Sequence, residues 1–204
     1  EAYLLADELS RKIGGRAQGD RRLPAALADA VATPGDTLCI VHGGGDEVSA
    51  LQRRLGLEPR FAGGRRVTSV EDLEVVRMVL SGTINKRLVA ALLSRGVNAV
   101  GISGEDARLF TARATDPATM GRVGGELTVQ AALVHHLLAS GFVPVISPLA
   151  RDADEASGPG LNVNGDDAAA ALAGAIGADE LVLVADVPGV LENGSLIPLI
   201  DRDR

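Results

Sequence analysis

The chain has 204 residues, which is enough for one sizeable domain or for a domain and part of a second. Its 27 Asp and Glu residues outnumber its 20 Lys and Arg residues, and the formal net charge of -7 argues against nucleic acid as the main partner. An anionic ligand would have to be met by a local cluster of basic groups. No stretch has the apolar length needed to span a bilayer, so a membrane is not expected as a partner either.

The composition also indicates how the core is built. Apolar residues make up 46% of the chain but aromatic residues only 2%, so the core has to consist of Val, Leu, Ile and Ala. Short aliphatic runs and Ala-rich helices are typical of a parallel sheet covered by helices. The single Cys39 lies inside an apolar run, and a buried, unreactive thiol indicates a reducing cytoplasm, where we expect the protein.

Predicted strands and helices alternate along the chain. A helix is predicted at 1–11, and Ser69 to Asp72 form a variant capping box that opens another. Further helices are predicted at 47–55, 83–95, 128–139 and 167–176, strands at 38–41, 99–103, 143–147, 181–185 and 196–200, a hairpin between 107–114 and the region of 122–123, and loops at 61–66 and 152–160. This alternation predicts an α/β fold, a three-layer αβα sandwich around a mostly parallel open sheet.

The triple-glycine turn, Gly43, Gly44 and Gly45, follows a predicted buried strand. Three glycines allow backbone amides to approach a ligand at the carboxyl end of a strand, where open sheets bind ligands, although a simple tight turn is the alternative. The spacing matches neither a Walker loop nor the dinucleotide fingerprint. Lys12 precedes Gly14 and Gly15 and could neutralise phosphate charge, although a surface lysine before a turn has the same pattern.

Further polar candidates stand before predicted helices. Arg66 precedes the apolar Val67, and its guanidinium could grip a carboxylate through two parallel hydrogen bonds, although a solvated basic loop is the alternative. Asn162 and Asp166 are spaced to face one helix N-terminus, where unpartnered amides favour anions. Stabilisation of the helix start is the alternative role for Asp166. The sequence suggests no metal-ligand cluster.

Taken in chain order, these segments resemble the amino-acid kinase family, and within it the branch that phosphorylates N-acetyl-L-glutamate. The matching segments are 12–15, 41–45, 64–68, 85–88, 99–106, 143–148, 162–169 and 185–190. The resemblance implies transfer of phosphate from ATP, with Mg²⁺ held mainly through the nucleotide phosphates, to the γ-carboxylate of N-acetyl-L-glutamate in arginine biosynthesis. It also implies a homodimer or higher homo-oligomer.

The resemblance also implies a role for each matching residue. Lys12 would stabilise the transferring phosphoryl group and Asp166 would organise the catalytic lysines. Substrate contacts would come from Gly43, Gly44, Gly45, Arg66, Asn162 and Asn164, and nucleotide or phosphate contacts from Lys12, Gly14, Gly15 and Asp186. Residues 1–160 would form a substrate-binding lobe and 161–204 the start of a nucleotide-binding lobe, which looks incomplete because the second catalytic lysine would lie beyond Arg204.

Three departures and three alternatives accompany this resemblance. A helix-like segment stands where the family has a strand leading into Lys12, Ala185 replaces a common hydroxyl residue, and the later glycine-rich motif is absent from the sequence. The alternatives are a kinase acting on a carrier-protein-linked aminoadipate or glutamate, a catalytically inactive binding module with this fold, and a nucleotide-binding oxidoreductase. The negative charge balance disfavours the first, and the missing glycine fingerprint disfavours the last.

Overall fold

A computed structural model describes residues 2–6, 37–183, 191–192 and 195–196, with side chains for 37–182. The strands are β1 Ala2–Ala6, β2 Thr37–Val41, β3 Arg60–Ala62, β4 Arg65–Val67, β5 Ala99–Ser103, β6 Phe110–Ala114, β7 Val123–Val129, β8 Val143–Ser147, β9 Leu149–Asp152, β10 Leu161–Val163, β11 Glu180–Leu183, β12 Leu191–Glu192 and β13 Ser195–Leu196. The α-helices are α1 Gly45–Arg54, α2 Val70–Arg77, α3 Asn85–Leu93, α4 Pro117–Met120, α5 Ala132–Ala139 and α6 Gly165–Ile176.

A five-stranded parallel sheet in the order β11-β1-β2-β8-β5 forms the centre of the fold. Alternate residues of its strands enter two different cores. Leu38 and Val145 face the side covered by α3, and Cys39 and Ile146 face the side covered by α5 and α6. This is the expected arrangement for parallel strands buried on both faces, and it confirms the predicted three-layer α/β sandwich.

A four-stranded closed ring, β10-β7-β6-β9, lies beside the carboxyl ends of the central strands. Its strands β6 and β7 pair antiparallel, which confirms the predicted hairpin between the 107–114 and 122–123 regions. Leu161 and Val163 of β10 pack into the same core as Val41 and Ile146 of the central sheet. The division into lobes at residue 160 stays a prediction.

A continuous helical segment runs from α2 through a π-helix, Met78–Ile84, into α3. Ser69 caps α2 as predicted, because its hydroxyl accepts a bond from the amide of Asp72 while the Asp72 carboxylate accepts one from the amide of Ser69. Among the described residues, no helix is both long enough and apolar enough to cross a bilayer.

Three local predictions are wrong. The helix predicted at 1–11 is a strand at Ala2–Ala6. A short aliphatic run is compatible with either structure, and here parallel pairing with β2 on one side and β11 on the other makes it a strand. The loop predicted at 61–66 is the β3–β4 hairpin. The helix predicted at 128–139 begins only at Ala132, because Thr128 and Val129 pair with β6.

Candidate functional site

A polar cleft of about 220 Å³ opens at the carboxyl ends of the central strands. It contains most of the residues that the sequence analysis selected within the described part of the chain. These lining residues include Gly43, Gly44, Gly45, Arg66, Asn162 and Asn164. The structure therefore brings together residues that lie up to about 120 positions apart in the sequence, such as Gly43 and Asn164, and their individual roles stay predictions.

Two helix N-termini meet at this cleft. Helix α1 begins directly at the triple-glycine turn, and Gly44, Gly45 and Asp46 line the cleft. Helix α6 begins at Gly165, which also lines the cleft. The first amides of a helix lack intrahelical partners and carry the positive end of the helix dipole, so both ends favour an anion. The start of α6 is capped by Asn164, whereas α1 has no side-chain cap.

The triple-glycine turn is in tight contact with the π-helix. A Cβ atom on Gly44 would lie 2.0 Å from Ile84 Cδ1 and 3.1 Å from Leu80 Cδ2, so a larger residue fits only if the Ile84 side chain moves, and the φ of +155° at this position is itself strained for a residue with a Cβ. Leu80 and Val76 in turn form part of the apolar wall of the cleft. Glycine is thus required at this position by close packing of the turn.

Arg66 is the most buried cationic group of the cleft, with 8% of the residue exposed. It lies on β4, directly opposite Phe61 of β3, whose ring lies 4.8 Å from the guanidinium carbon. The two-residue turn between these strands, Gly63-Gly64, has positive φ at both positions, which is the backbone that a tight hairpin requires. The hairpin is what holds Arg66 against the cleft.

The guanidinium of Arg66 is bonded to three neutral acceptors. Nη2 donates to the carbonyl of Gly45 at 2.7 Å and to Ser49 Oγ at 2.9 Å, and Nη1 donates to Gln52 Oε1. Among the described residues, no carboxylate forms an ion pair with Arg66. Burial lowers the pKa of Arg66, and the charges of Asp72 and Asp46 oppose that shift. Since arginine stays protonated in proteins, the cleft holds a buried cation that has no direct counter-ion within the described part of the chain.

Asn162 and Asn164 approach the cleft from β10 and the start of α6. Asn162 Nδ2 donates to Thr68 Oγ1 at 3.1 Å, and the Thr68 hydroxyl donates to the carbonyl of Arg66 at 3.0 Å, which links β10 to the hairpin. Asn164 Oδ1 caps α6 by accepting from the amides of Asp166 and Asp167 at 2.8 and 3.1 Å. The substrate contact expected of Asn164 therefore has to come from the part of the side chain that capping leaves available.

Asp166 lies one residue beyond the cleft lining, in the first turn of α6. Burial, with the neighbouring charge of Asp167 as a second cause, raises the pKa of Asp166. The adjacent Asp167 already has a partner, since it forms an ion pair with Arg65 at 2.7 Å. A nearby cation would stabilise the charged form of Asp166, as the predicted contact with catalytic lysines requires.

Four of the predicted site residues lie outside the described residues, namely Lys12, Gly14, Gly15 and Asp186. The nucleotide side of the site therefore stays a prediction. Among the described residues, no group of three or more His, Cys, Asp or Glu side chains is placed to hold a metal.

Residues to which the sequence analysis gave no role at the site support the cleft from behind. Gln52 and Asp72 extend the hydrogen-bond chain of Arg66. Asn85 holds His42, the residue before the triple-glycine turn, by donating to Val145 O at 2.8 Å and to His42 Nε2 at 3.2 Å. No local pattern marks a glutamine in the middle of a helix or an asparagine after a π-helix. Their roles depend on which strands and helices pack together.

An α/β fold with a polar cleft at the carboxyl ends of its parallel strands is typical of small-ligand-binding domains. The sequence profile described as the Amino acid kinase family matches residues 11–204. The chain belongs to the amino acid kinase family.

Similar proteins support this assignment. The chain is 51% identical to an acetylglutamate kinase of Methanopyrus kandleri over 164 residues, covering 78% of this chain and 65% of that protein. It is 45% identical to an acetylglutamate kinase of Roseiflexus castenholzii over 193 residues, covering 94% of this chain and 73% of that protein. A crystal structure of a Streptococcus mutans protein superposes with a TM-score of 0.77 at 27% identity, covering 95% of this chain and 76% of the other.

The chain thus spans about two thirds of the length of the Methanopyrus relative. The fold of the amino acid kinase family is present, with its parallel sheet and covering helices. Family membership also decides against the interpretation of the chain as a dinucleotide-binding oxidoreductase.

Proposed function

We propose that this protein transfers the γ-phosphoryl group of ATP to the γ-carboxylate of N-acetyl-L-glutamate, forming an acyl phosphate for arginine biosynthesis. The observation that carries this proposal is the buried guanidinium of Arg66, whose acceptors in residues 37–182 are all neutral, in a cleft with two helix N-termini. A small substrate with a free carboxylate would supply the missing anion. Relatives named acetylglutamate kinase at 51% and 45% identity support the choice of substrate.

The proposed reaction forms a bond between a γ-carboxylate oxygen and the γ-phosphorus of ATP, while the bond from that phosphorus to the β–γ bridging oxygen breaks and ADP leaves. A carboxylate is already ionised at neutral pH, so no general base is needed. The obstacle is repulsion between two anions. Positioning and charge neutralisation by fixed dipoles and cations are the means by which such transfers are accelerated.

Each described part of the cleft has a defined role in this proposal. Arg66 would bind the carboxylate that is not phosphorylated, and Asn162 would contact the amide. The uncapped amides at the start of α1, together with the dipole of α6, would face the reacting carboxylate and the phosphates. Mg²⁺, when bound with ATP, would neutralise phosphate charge, and we expect the nucleotide phosphates to hold it. We keep for Lys12, Asp166 and Asp186 the roles given in the sequence analysis. We also propose a cytoplasmic location and a homodimer or higher homo-oligomer.

The test is to trap the product of the full-length protein. With Mg-ATP, N-acetyl-L-glutamate and hydroxylamine, we expect a hydroxamate to accumulate together with ADP. ADP release without hydroxamate would mean ATP hydrolysis or transfer to another acceptor and would contradict the proposed acceptor. Neither product with any acidic amino-acid derivative would favour the inactive binding module. Hydroxamate formation only from a carrier-protein-linked substrate would favour the aminoadipate or glutamate kinase.

A further inference from the structure

We propose that Gln52 is a positioning residue that keeps the charge of Arg66 available for the substrate, by standing as an uncharged side chain between Arg66 and Asp72. This inference deepens the proposed function and rests on it. It concerns a residue of α1 that is fully buried behind the cleft and does not line it.

Gln52 bonds to both of its charged neighbours. Its Oε1 accepts from Nη1 of Arg66, and its Nε2 donates to Oδ1 of Asp72 at 2.5 Å. The carboxamide is therefore turned in one direction, with its oxygen toward the cation and its nitrogen toward the anion. The order of groups from the cleft inward is Arg66, Gln52, Asp72.

The carboxylate of Asp72 has its hydrogen bonds from groups other than Arg66. It accepts from the amide of Ser69 at 3.0 Å, within the capping box of α2, as well as from Gln52. Burial alone would raise the pKa of Asp72, but these hydrogen bonds outweigh burial and hold the pKa below its usual value. The carboxylate is therefore stabilised in its charged form by α2 and Gln52.

The consequence for Arg66 follows from charge. A direct carboxylate contact would satisfy the guanidinium internally, and a substrate carboxylate would then have to displace it or share it. The described acceptors around Arg66, Gly45 O, Ser49 Oγ and Gln52 Oε1, are all neutral. They fix the plane of the guanidinium without cancelling its charge, so the strongest partner left for it is an external carboxylate.

The sharpest test exchanges the amide for a carboxylate of the same shape. The Gln52→Glu variant keeps an acceptor for Arg66, and it also carries Asp72→Asn, because two carboxylates at positions 52 and 72 would otherwise meet and share a proton. The new amide at position 72 restores a donor to residue 52 and still accepts from the amide of Ser69, so a purely structural role would leave substrate binding nearly intact. We expect instead that both Kd and KM for N-acetyl-L-glutamate rise about tenfold or more, while KM for ATP changes little, because Arg66 gains an internal counter-ion. Kd is measured by calorimetry without ATP on the full-length protein.

A substrate that lacks the carboxylate bound by Arg66 provides an independent readout. N-acetylisoglutamine carries a carboxamide in place of the α-carboxylate and keeps the γ-carboxylate. The wild-type protein should prefer N-acetylglutamate strongly, and Gln52→Glu should lose about tenfold or more of that preference. Undiminished preference in the variant, or a Kd within twofold of the wild type, would overturn the inference.

Two further variants keep the test decisive if Gln52→Glu does not fold. Gln52→Met has a similar size and frees Arg66 to approach Asp72, so KM for N-acetylglutamate should rise. Ser49→Ala removes one neutral bond to the same guanidinium but leaves Gln52 in place, so its effect should be smaller. The reverse order of the two effects would contradict the inference. A wild-type protein that neither binds nor phosphorylates N-acetylglutamate would instead refute the proposed function.

Discussion

Arg66 is held in a way that suits a ligand more than the fold. Its guanidinium is buried, and each of its three described acceptors is neutral. Burial of a charge without a counter-ion is unfavourable, and such sites are retained where a ligand completes them. The sequence analysis selected Arg66 because it precedes the apolar Val67. Only the folded structure shows that its guanidinium is buried beside the cleft and bonded to neutral acceptors.

Arg66→Ala should raise KM for N-acetyl-L-glutamate roughly 10–100-fold with a much smaller change in KM for ATP, since it removes charge-assisted hydrogen bonds to the substrate carboxylate. Steady-state kinetics with each substrate varied in turn is the measurement. Arg113→Ala is the matched control, because Arg113 forms an exposed ion pair with Asp154 on a different surface. Equal increases in both KM values would contradict the assignment of Arg66.

The hydrogen bonds of His42, a buried residue directly before the triple-glycine turn, depend on its protonation state. Asn85 Nδ2 donates to His42 Nε2, so the neutral ring carries its proton on Nδ1, which donates to the carbonyl of Gly43 at 3.0 Å. Burial lowers the pKa of His42 from 6.5 to about 4. Protonation of Nε2 would place two donors against each other at this contact.

The stability of the protein should therefore fall in mild acid. As pH drops from about 6.5 toward 4, the unfolded state binds a proton on His42 before the folded state does, and about 3 kcal/mol of folding free energy is progressively lost. Other groups also titrate in this range, so the quantity to compare is the free energy of unfolding of wild type and His42→Gln at pH 7 and pH 5. The drop should be about 2 kcal/mol larger in the wild type. Identical drops would show that His42 is not the titrating group.

At the scale of elements, the triple-glycine turn and the π-helix are fitted to each other. The space that a Cβ of residue 44 would need is occupied by Cδ1 of Ile84 at 2.0 Å. A π-helix within a longer helix often marks a functional site, and here it brings Leu80 and Ile84 against the glycine turn. The turn could not approach this helix as closely with any other residue at position 44.

Gly44→Ala should lower the free energy of unfolding by about 1–3 kcal/mol through overpacking. Ile84→Val removes the obstructing Cδ1 atom and alone should cost about 0.5–1.5 kcal/mol. The double variant should be less destabilised than the sum of the two single variants, as measured by chemical denaturation. Additive losses would mean that the clash with Ile84 is not the cause.

The elements that the sequence predicted well carry strong local signals. The capping box at Ser69, the apolar runs of β2, β5 and β8, and the alternation of strands with helices all follow from nearest neighbours in the chain. The β3–β4 hairpin was missed because two adjacent glycines were interpreted as a loop, although they also suit a tight two-residue turn. The strand Ala2–Ala6 was missed because its identity depends on strands far along the chain.

At the scale of the whole molecule, the cleft is assembled from segments that only the fold brings together. The triple-glycine turn follows β2, Arg66 lies on the β3–β4 hairpin, and Asn162 lies on β10. Motif order along the chain was sufficient to predict that these residues share a site. It could not predict the buried bonds of Gln52, Thr68 and Asn85, because these contacts join elements that are not neighbours in sequence.

A ligand that bridges these segments should stabilise the entire fold. At a concentration one hundred times its Kd, N-acetyl-L-glutamate should add about 2.7 kcal/mol to the free energy of unfolding, which for a chain of this size raises Tm by roughly 5–10 °C. Thermal unfolding with and without the ligand measures the shift, and no ATP is needed. Arg66→Ala at the same ligand concentration should lose between about half and most of the shift, because a 10–100-fold weaker affinity leaves only about 1.4 to 0.4 kcal/mol of stabilisation. An undiminished shift in Arg66→Ala would place the ligand outside this cleft and would require a different site for the substrate.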